Sequence, residues 1–228
     1  MTQEQLDKLN KIVDARINER VEKILNEKIY DLLHPIVEIV SLDNPIPTYA
    51  TPGDAGADVR ASVMRVQTKF MDKAYVLTDK DELYNELNLA FDRDDRIAME
   101  EIYKRIDAIK EETPVAIVVK PGGHCLIPTG LFTSFPDIYV ADIVPRSGIA
   151  LKKRITVTNS PGKIDARYRN EWGIIVDNEG SEDFVIRQGD KIAQVQFSLK
   201  CQAQFVVKQS VDELSGEDRG GGFGHTGV

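Results

Sequence analysis

The chain of 228 residues has only two cysteines, Cys125 and Cys201. That is too few for a disulfide framework and fits a reducing compartment, so a cytoplasmic location is expected. No apolar run approaches the ~20 residues needed to span a bilayer, and the N-terminus is charged rather than signal-like, so no membrane segment or leader is expected. The three histidines, His34, His124 and His225, are scattered, which excludes a His/Cys zinc set. Cations are also scarce: 29 Lys and Arg face 37 Asp and Glu, a formal charge of −8 with pI near 5.0. A general nucleic-acid binder needs a basic face to replace counterions, so no nucleic-acid partner is expected. A protein of this charge that handles a polyanion must concentrate a few cations locally.

What is present is ordinary for a soluble globular protein, with 42% hydrophobic and 29% charged residues. The length suits one sizeable domain, or a core of about 150 residues with additions. Residues 3–33 predict a helix, because Leu6, Leu9, Val13, Ile17, Val21 and Ile24 recur at spacings of three and four among charges. His34-Pro35 ends it, since a residue before proline is pushed out of the helical region. So narrow a stripe suits packing on the core or on another helix, including an oligomerising one, or a solvated appendage. Residues 36–40 read as a strand, followed by loop chemistry in "NPIPTYATPGDAGADVRAS". Residues 79–112 return to helical character, with Met99, Ile102, Ile106 and Ile109 on one face and Pro114 closing the segment.

Beyond that point short β-branched runs alternate with turns, continuing through "WGIIVDN", "FVIRQGDKIAQVQF" and "AQFVVKQ", the rhythm of an all-β sandwich or barrel. The tail "DRGGGFGHTGV" carries too much glycine for a stable element and reads as a flexible arm. The expected organisation is an N-terminal helix (1–34), a first part of a β-barrel core (35–63), a mostly helical insertion (64–113), the rest of the core (114–207) and the arm (208–228).

Four segments can carry chemistry. In "PGDAGADVRA", Gly53 and Gly56 shape a turn that presents Asp54 and Asp58. In "PRSGIALKKR", Arg146 and Ser147 at a strand end supply a guanidinium, a hydroxyl and backbone N–H groups, an anion cradle. "NSPGKIDARY" reads as a hairpin in which Gly162 supplies the positive φ of a tight loop and lets a ligand approach, with Asp165 and Tyr168 on the outgoing strand. The arm holds Arg219 and Phe223. Each alone is also explained by a turn, a cap, a salt bridge or a simple tail.

Taken in order, the segments resemble the five motifs of the homotrimeric dUTP diphosphatases (dUTPases). "AGADVRA" (Ala55–Ala61) looks like the first, "PRSGIA" (Pro145–Ala150) the second and "GKIDARYRNEWG" (Gly162–Gly173) the third. "QGDKIAQVQF" (Gln188–Phe197) is similar to the fourth and "RGGGFGHTG" (Arg219–Gly227) to the fifth. The resemblance implies a mainly β fold, a distorted jelly-roll barrel, to which the N-terminal helix and the insertion are additions. It implies hydrolysis of dUTP to dUMP and pyrophosphate, which limits uracil incorporation into DNA and supplies dUMP for thymidylate synthesis.

The resemblance also assigns roles. Asp165 would be the base that activates water and Ser147 its catalytic partner at the phosphates, while Arg146, Gly148 and Gln194 would contact the phosphates. Asn159, Gly162 and Ile164 would receive uracil through a narrow backbone loop. Tyr168 would pack beneath the deoxyribose and exclude a 2′-hydroxyl by clash. Arg219, Gly222, Phe223 and Gly224 would close over the nucleotide, Phe223 stacking on uracil and Arg219 reaching the γ-phosphate. Mg²⁺ is the implied cofactor, held mainly by phosphates and water, with Asp58 reaching it through water. Each site would combine residues from three copies of the chain.

Two departures from the family stand out: Arg167 where an acid is common, and an arm motif one residue short between Arg219 and Phe223 with His225 in place of a frequent Ser. A related dCTP deaminase would need a Glu in the strand after the hairpin, and Gly173–Asn178 has none. A dUTPase-like interaction protein, binding a partner through the insertion or the N-terminal helix, is the alternative from a different class.

Overall fold

In the computed structural model, residues 3–218 are described, with side chains from residue 10 onward. The expected helix forms as α1 (Gln3–Leu33). It stops where His34 N–H bonds Tyr30 O at 3.0 Å and the two rings stack at 3.9 Å, ahead of Pro35. Every described side chain of α1 is exposed, and at its foot Tyr139 Oη donates to Leu32 O. Among the described residues no helix is long and apolar enough to cross a membrane.

The rest is mainly β and entirely antiparallel. One sheet of four strands runs β2 (Ala57–Arg60), β11 (Lys191–Leu199), β6 (Tyr139–Pro145) and β8 (Gly162–Asp165). A second runs β10 (Phe184–Arg187), β4 (Pro114–Pro128), β9 (Gly173–Asn178) and β7 (Ile155–Val157), with β3 (Met71–Thr78) also on β4. A pair joins β1 (Glu38–Ser41) to β5 (Leu131–Ser134). Alternation places Val59, Ile143 and Val195 of the first sheet against Ile117, Ile127, Ile174 and Val176 of the second, with Trp172 fully buried between them. Trp172 Nε1–H is satisfied by Thr133 Oγ1 at 3.1 Å.

Residues 64–113 are less helical than their charge pattern suggests. β3 occupies part of their first third, because "MDKAYVLT" alternates well enough to pair with β4. α2 (Asp79–Asp92) then starts on a capping box in which Thr78 and Asp81 exchange side-chain and backbone bonds. α3 (Arg96–Ala108) starts where Asp95 accepts from Ala98 N–H at 3.0 Å. The two helices enclose a small core of Leu83, Leu87, Ala90, Ile102 and Ile106, with Met99 and Ile109 packed against it. Pro114 opens β4 rather than merely ending a helix. The run "AQFVVKQ" forms no strand: residues 201–208 belong to no ladder, and Phe205 is 90% exposed. Its alternation is strand-like, but the described part of the chain supplies no edge for it.

Candidate active site

The first sheet carries most of the candidate site residues. Its inward positions are the core residues Ala57, Val59, Ala141, Ile143, Ala193 and Val195. The alternate positions therefore face outward: Asp58 on β2, Gln194 and Ser198 on β11, Asp142 on β6, and Lys163 and Asp165 on β8. Asp58 pairs in register with Gln194, which pairs with Val144. The backbone before Asp58 lies close on Gln194, since a Cβ added to Gly56 would sit 3.2 Å from Gln194 Cβ.

Arg146 follows β6 directly, at the start of the short helix α4 (Ser147–Lys153). Its Nε donates to Asp58 Oδ1 at 2.9 Å, and its Nη1 donates to Lys191 O at 3.3 Å. Lys191 Nζ lies 2.6 Å from Asp58 Oδ2. Burial alone would raise the Asp58 pKa. The hydrogen bonds and charges of Lys191 and Arg146 together outweigh it and hold the carboxyl below its ordinary range. Two cations thus share one buried acid, leaving a net positive corner beside the exposed Ser147 and Gly148, where a Cβ on Gly148 would meet nothing within 4 Å. Lys191 was missed by sequence reasoning although it lies inside the fourth motif. The signal was a basic residue three positions before Gln194, in the strand facing Asp58.

The segment read as a hairpin is something else. β7 belongs to the second sheet and β8 to the first, so Thr158–Pro161 crosses from one sheet to the other instead of joining paired strands. The Ser160–Pro161 peptide is cis, and Ser160 N–H bonds Val157 O at 3.0 Å. Gly162 does not take a positive φ; among the described glycines that feature belongs to others, such as Gly53. What requires glycine at 162 is space, because an added Cβ would stand 3.2 Å from Asn159 Nδ2. Asn159 is therefore folded over the start of β8. Asp54, presented by the turn at Gly53, bonds Thr51 N–H at 2.8 Å and Thr51 Oγ1 at 2.7 Å, and serves that turn alone.

Asp165 ends β8, exposed, opposite Val140. Tyr168 N–H bonds Asp165 O at 3.0 Å, and Tyr168 Oη donates to Glu171 O at 3.2 Å, leaving its ring partly exposed beside the acid. Glu171 is fixed in turn by Arg65 at 3.0 Å and Gly130 N–H at 2.8 Å. Arg167 points away and pairs with Asp137, which neutralises the charge introduced at that position. One row from Asp165, Lys163 Nζ lies 2.5 Å from Asp142 Oδ1 while Ser198 Oγ donates to Asp142 Oδ2 at 2.7 Å. Asp142 also escaped the sequence reading; an acid inside the apolar run "YVADIVP" was its signal.

Asp165 and Arg146 do not meet within one chain. Val140, opposite Asp165, precedes Arg146 by six residues of extended strand, about 20 Å at ~3.3 Å per residue. A hollow of about 1070 Å³ lies elsewhere, between the foot of α1 and Tyr139, Trp172, Val195 and Phe197. Arg219, Gly222, Phe223 and Gly224, with the rest of the fifth motif, lie outside the described residues. Among the described residues no three His, Cys, Asp or Glu side chains converge as a metal site. Both oxygens of Asp58 already accept from cations, so this donor set fits an ion that arrives on phosphates and reaches Asp58 through water.

Residues 112–227 match the profile of the dUTPase family. The chain belongs to that family. The deoxyuridine 5'-triphosphate nucleotidohydrolase of Caulobacter vibrioides is 35% identical over 82% of this chain and 88% of its own length. That of Chlamydia pneumoniae is 38% identical over 80% and 91%. A variant of the dUTPase from Staphylococcus bacteriophage 80alpha, solved with dUpNHpp, superposes with a TM-score of 0.54 at 17% identity, covering 84% of this chain and 99% of that one. This likeness supports the fold. The enzyme is a dUTP diphosphatase, hydrolysing dUTP to dUMP.

Proposed function

We propose that Asp165 directs water at the α-phosphorus of dUTP, in a site completed by further copies of the chain. The water oxygen bonds the α-phosphorus, the bond to the bridging oxygen breaks, pyrophosphate leaves, and Asp165 accepts the water proton. A positioned base of this kind contributes typically about 10²–10⁴ in rate. Arg146, Ser147, Gly148 and Gln194 take the phosphates, the first as a fixed fork of donors. Asn159 and the backbone at Gly162 and Ile164 take uracil, whose donor and acceptor edge a cytosine could not match without leaving buried groups unpaired. Tyr168 takes the deoxyribose face. Arg219, Gly222, Phe223 and Gly224 cover the nucleotide and exclude water.

The observation that carries this reading is the outward face of the four-stranded sheet. Phosphate-binding groups stand at one end of it and the acid with its aromatic neighbour at the other, too far apart to serve one nucleotide within one chain. A homotrimer in which Asp165 of one copy meets the Arg146 corner of the next removes that conflict. Mg²⁺ bound to the phosphates would neutralise charge in the transition state, with Asp58 holding one of its waters. The β strands form the catalytic core, to which α1 and the segment containing α2 and α3 are additions, the latter a candidate surface for a protein partner. Free thiols at Cys125 and Cys201 support a cytoplasmic setting. Pyrophosphate release measured across dUTP, dTTP, dCTP and UTP, with and without Mg²⁺, tests the reading. Strong preference for dUTP, abolished by Asp165→Asn, is expected; turnover by Asp165→Asn at the parental rate would overturn it.

A further inference from the structure

The charged network around Glu171 reaches beyond the five motifs. Arg65 lies past the end of "AGADVRA", in one turn of 3₁₀ helix (Val63–Arg65). That turn is a firm base. Ser62 and Val63 are fully buried, Ser62 N–H bonds Pro128 O at 2.7 Å, and Val63 N–H bonds Gln188 Oε1 at 2.8 Å. From it the Arg65 guanidinium reaches Glu171 as a fork, Nε to Oε1 at 3.0 Å and Nη2 to Oε2 at 3.1 Å. Such a two-bond pair fixes orientation as well as distance. Gly130 N–H adds a third bond, to Glu171 Oε1, at 2.8 Å.

The main chain of the same residue holds the Tyr168 ring. Glu171 O accepts from Tyr168 Oη at 3.2 Å, and Tyr168 N–H bonds Asp165 O at 3.0 Å, so the ring is tied at its hydroxyl and at its root. Tyr168 is 38% exposed, so packing covers only part of it and the hydroxyl bond supplies a further constraint. An attractive contact tolerates some movement, whereas exclusion by clash needs a wall that does not yield. A ring able to tilt away makes room for a 2′-hydroxyl. Removing Arg65 would loosen that wall from behind. Arg65 Nε also lies 3.8 Å from Asp43 Oδ2, so without the guanidinium the Glu171 carboxylate loses its fork and faces a second acid.

We propose that Arg65 is a positioning residue for sugar selection: through Glu171 it holds the Tyr168 ring where a 2′-hydroxyl does not fit. This rests on the reading of Tyr168 as the surface beneath the deoxyribose. Base selection, assigned to Asn159, Gly162 and Ile164, lies on the other side of Asp165 in the chain and is independent of this clamp.

The test is the ratio of kcat/KM for dUTP to that for UTP, with the ratio for dUTP to dCTP beside it, in the full chain. In Arg65→Met the first ratio should fall roughly tenfold, mainly through improved turnover of UTP, while the second stays within about twofold of the parent. A loss shared equally by dUTP, UTP and dCTP would mean that Arg65 only supports the fold, and overturns the proposal. Tyr168→Phe removes the hydroxyl that ties the ring to Glu171. It should lower the same ratio, and Arg65→Met added to it should lower the ratio no further. Additive losses would overturn the link. Arg65→Lys keeps the charge without the fork and should give an intermediate ratio; it carries the test if Arg65→Met does not fold. Tyr168→Ala separates this inference from the reading beneath it. An unchanged dUTP-to-UTP ratio in Tyr168→Ala removes the sugar reading and the proposal with it. A collapsed ratio there, with a parental ratio in Arg65→Met, removes the proposal alone.

Discussion

Arg146 and Asp58 are joined at 2.9 Å although 88 residues separate them, and Lys191 binds the second oxygen of the same carboxylate. A single acid therefore sets the position of two cations at the corner assigned to the phosphates. Asp58→Asn keeps the shape and removes the charge, leaving two neighbouring cations without their counter-ion. Breaking a fully buried pair from one side costs about 3–5 kcal/mol. The partial exposure of Arg146 and Lys191 reduces this to ~1–3 kcal/mol. The same variant should raise KM for dUTP more than it lowers kcat, which steady-state kinetics and chemical denaturation will read separately.

The pair also sets a pH dependence. The folded pKa of Asp58 lies below its ordinary 3.8, so the unfolded chain binds the proton more readily than the folded one. Its contribution is fully present above the unfolded value and is lost as pH falls through the lower, folded one. Acid titration of stability should therefore show a steeper loss below about pH 4 in the parent than in Asp58→Asn. Parallel acid limbs in the two proteins would refute this assignment.

Lys163 and Asp142 carry the second prediction about charge. β8 is an edge strand of four residues with β6 as its neighbour in the sheet, and it bears Asp165. Lys163→Met would leave a carboxylate that is 8% exposed with Ser198 as its remaining side-chain partner. A stability loss of about 1–3 kcal/mol is expected, with kcat falling several-fold at nearly constant KM. Exchanging the charges, Asp142→Lys with Lys163→Asp, should recover most of kcat if the clamp acts through β8. Failure of the exchange variant, with both single variants impaired, would assign them a purely packing role.

Arg167 leads to the opposite expectation. Its ion pair with Asp137 is exposed, and exposed pairs contribute little. Arg167→Ala should change kcat/KM by less than about twofold and leave the melting temperature essentially unchanged. A large loss of activity would mean that this guanidinium turns toward the nucleotide in the assembled enzyme.

Much of this was legible from residue order alone. α1 was readable from its stripe and from His34-Pro35, and α3 from the shared face of Met99, Ile102 and Ile106. The strands from β4 to β11 were readable from their turn punctuation. Register was not readable. That Thr158–Pro161 joins two sheets follows from which neighbours β7 and β8 find, and those lie far off in sequence. Lys191 and Asp142 stayed hidden for the same reason, since a charge in a strand declares its partner only once the strand across from it is known. β3 was obscured by the charges between its apolar residues, and residues 201–208 show the reverse, a strand-like pattern with no edge among the described residues to pair with. The distance between Asp165 and Arg146 is likewise a consequence of pairing, which no single motif declares.

Gly56 offers the sharpest steric test of the corner. A methyl group at this position would stand 3.2 Å from Gln194 Cβ and 3.3 Å from Gln194 Cδ. The neighbour therefore has to give by a few tenths of an ångström. Gln194 cannot yield freely, because its backbone pairs with Asp58 on one side and Val144 on the other. Gly56→Ala should thus push β2 and β11 apart where Asp58 and Gln194 lie side by side, at a cost typical of overpacking, about 1–3 kcal/mol. Because Asp58 moves with β2, the cations that it holds move too, and kcat/KM for dUTP should drop by about tenfold for each 1.4 kcal/mol of lost transition-state binding. Gly148→Ala is the matched control: its added methyl meets nothing within 4 Å in the chain itself. It should leave the melting temperature near the parental value, so that any loss of its activity reports a clash with substrate rather than with protein. If Gly56→Ala kept full activity and stability, the close packing of β2 on Gln194 could not be what positions the phosphate corner.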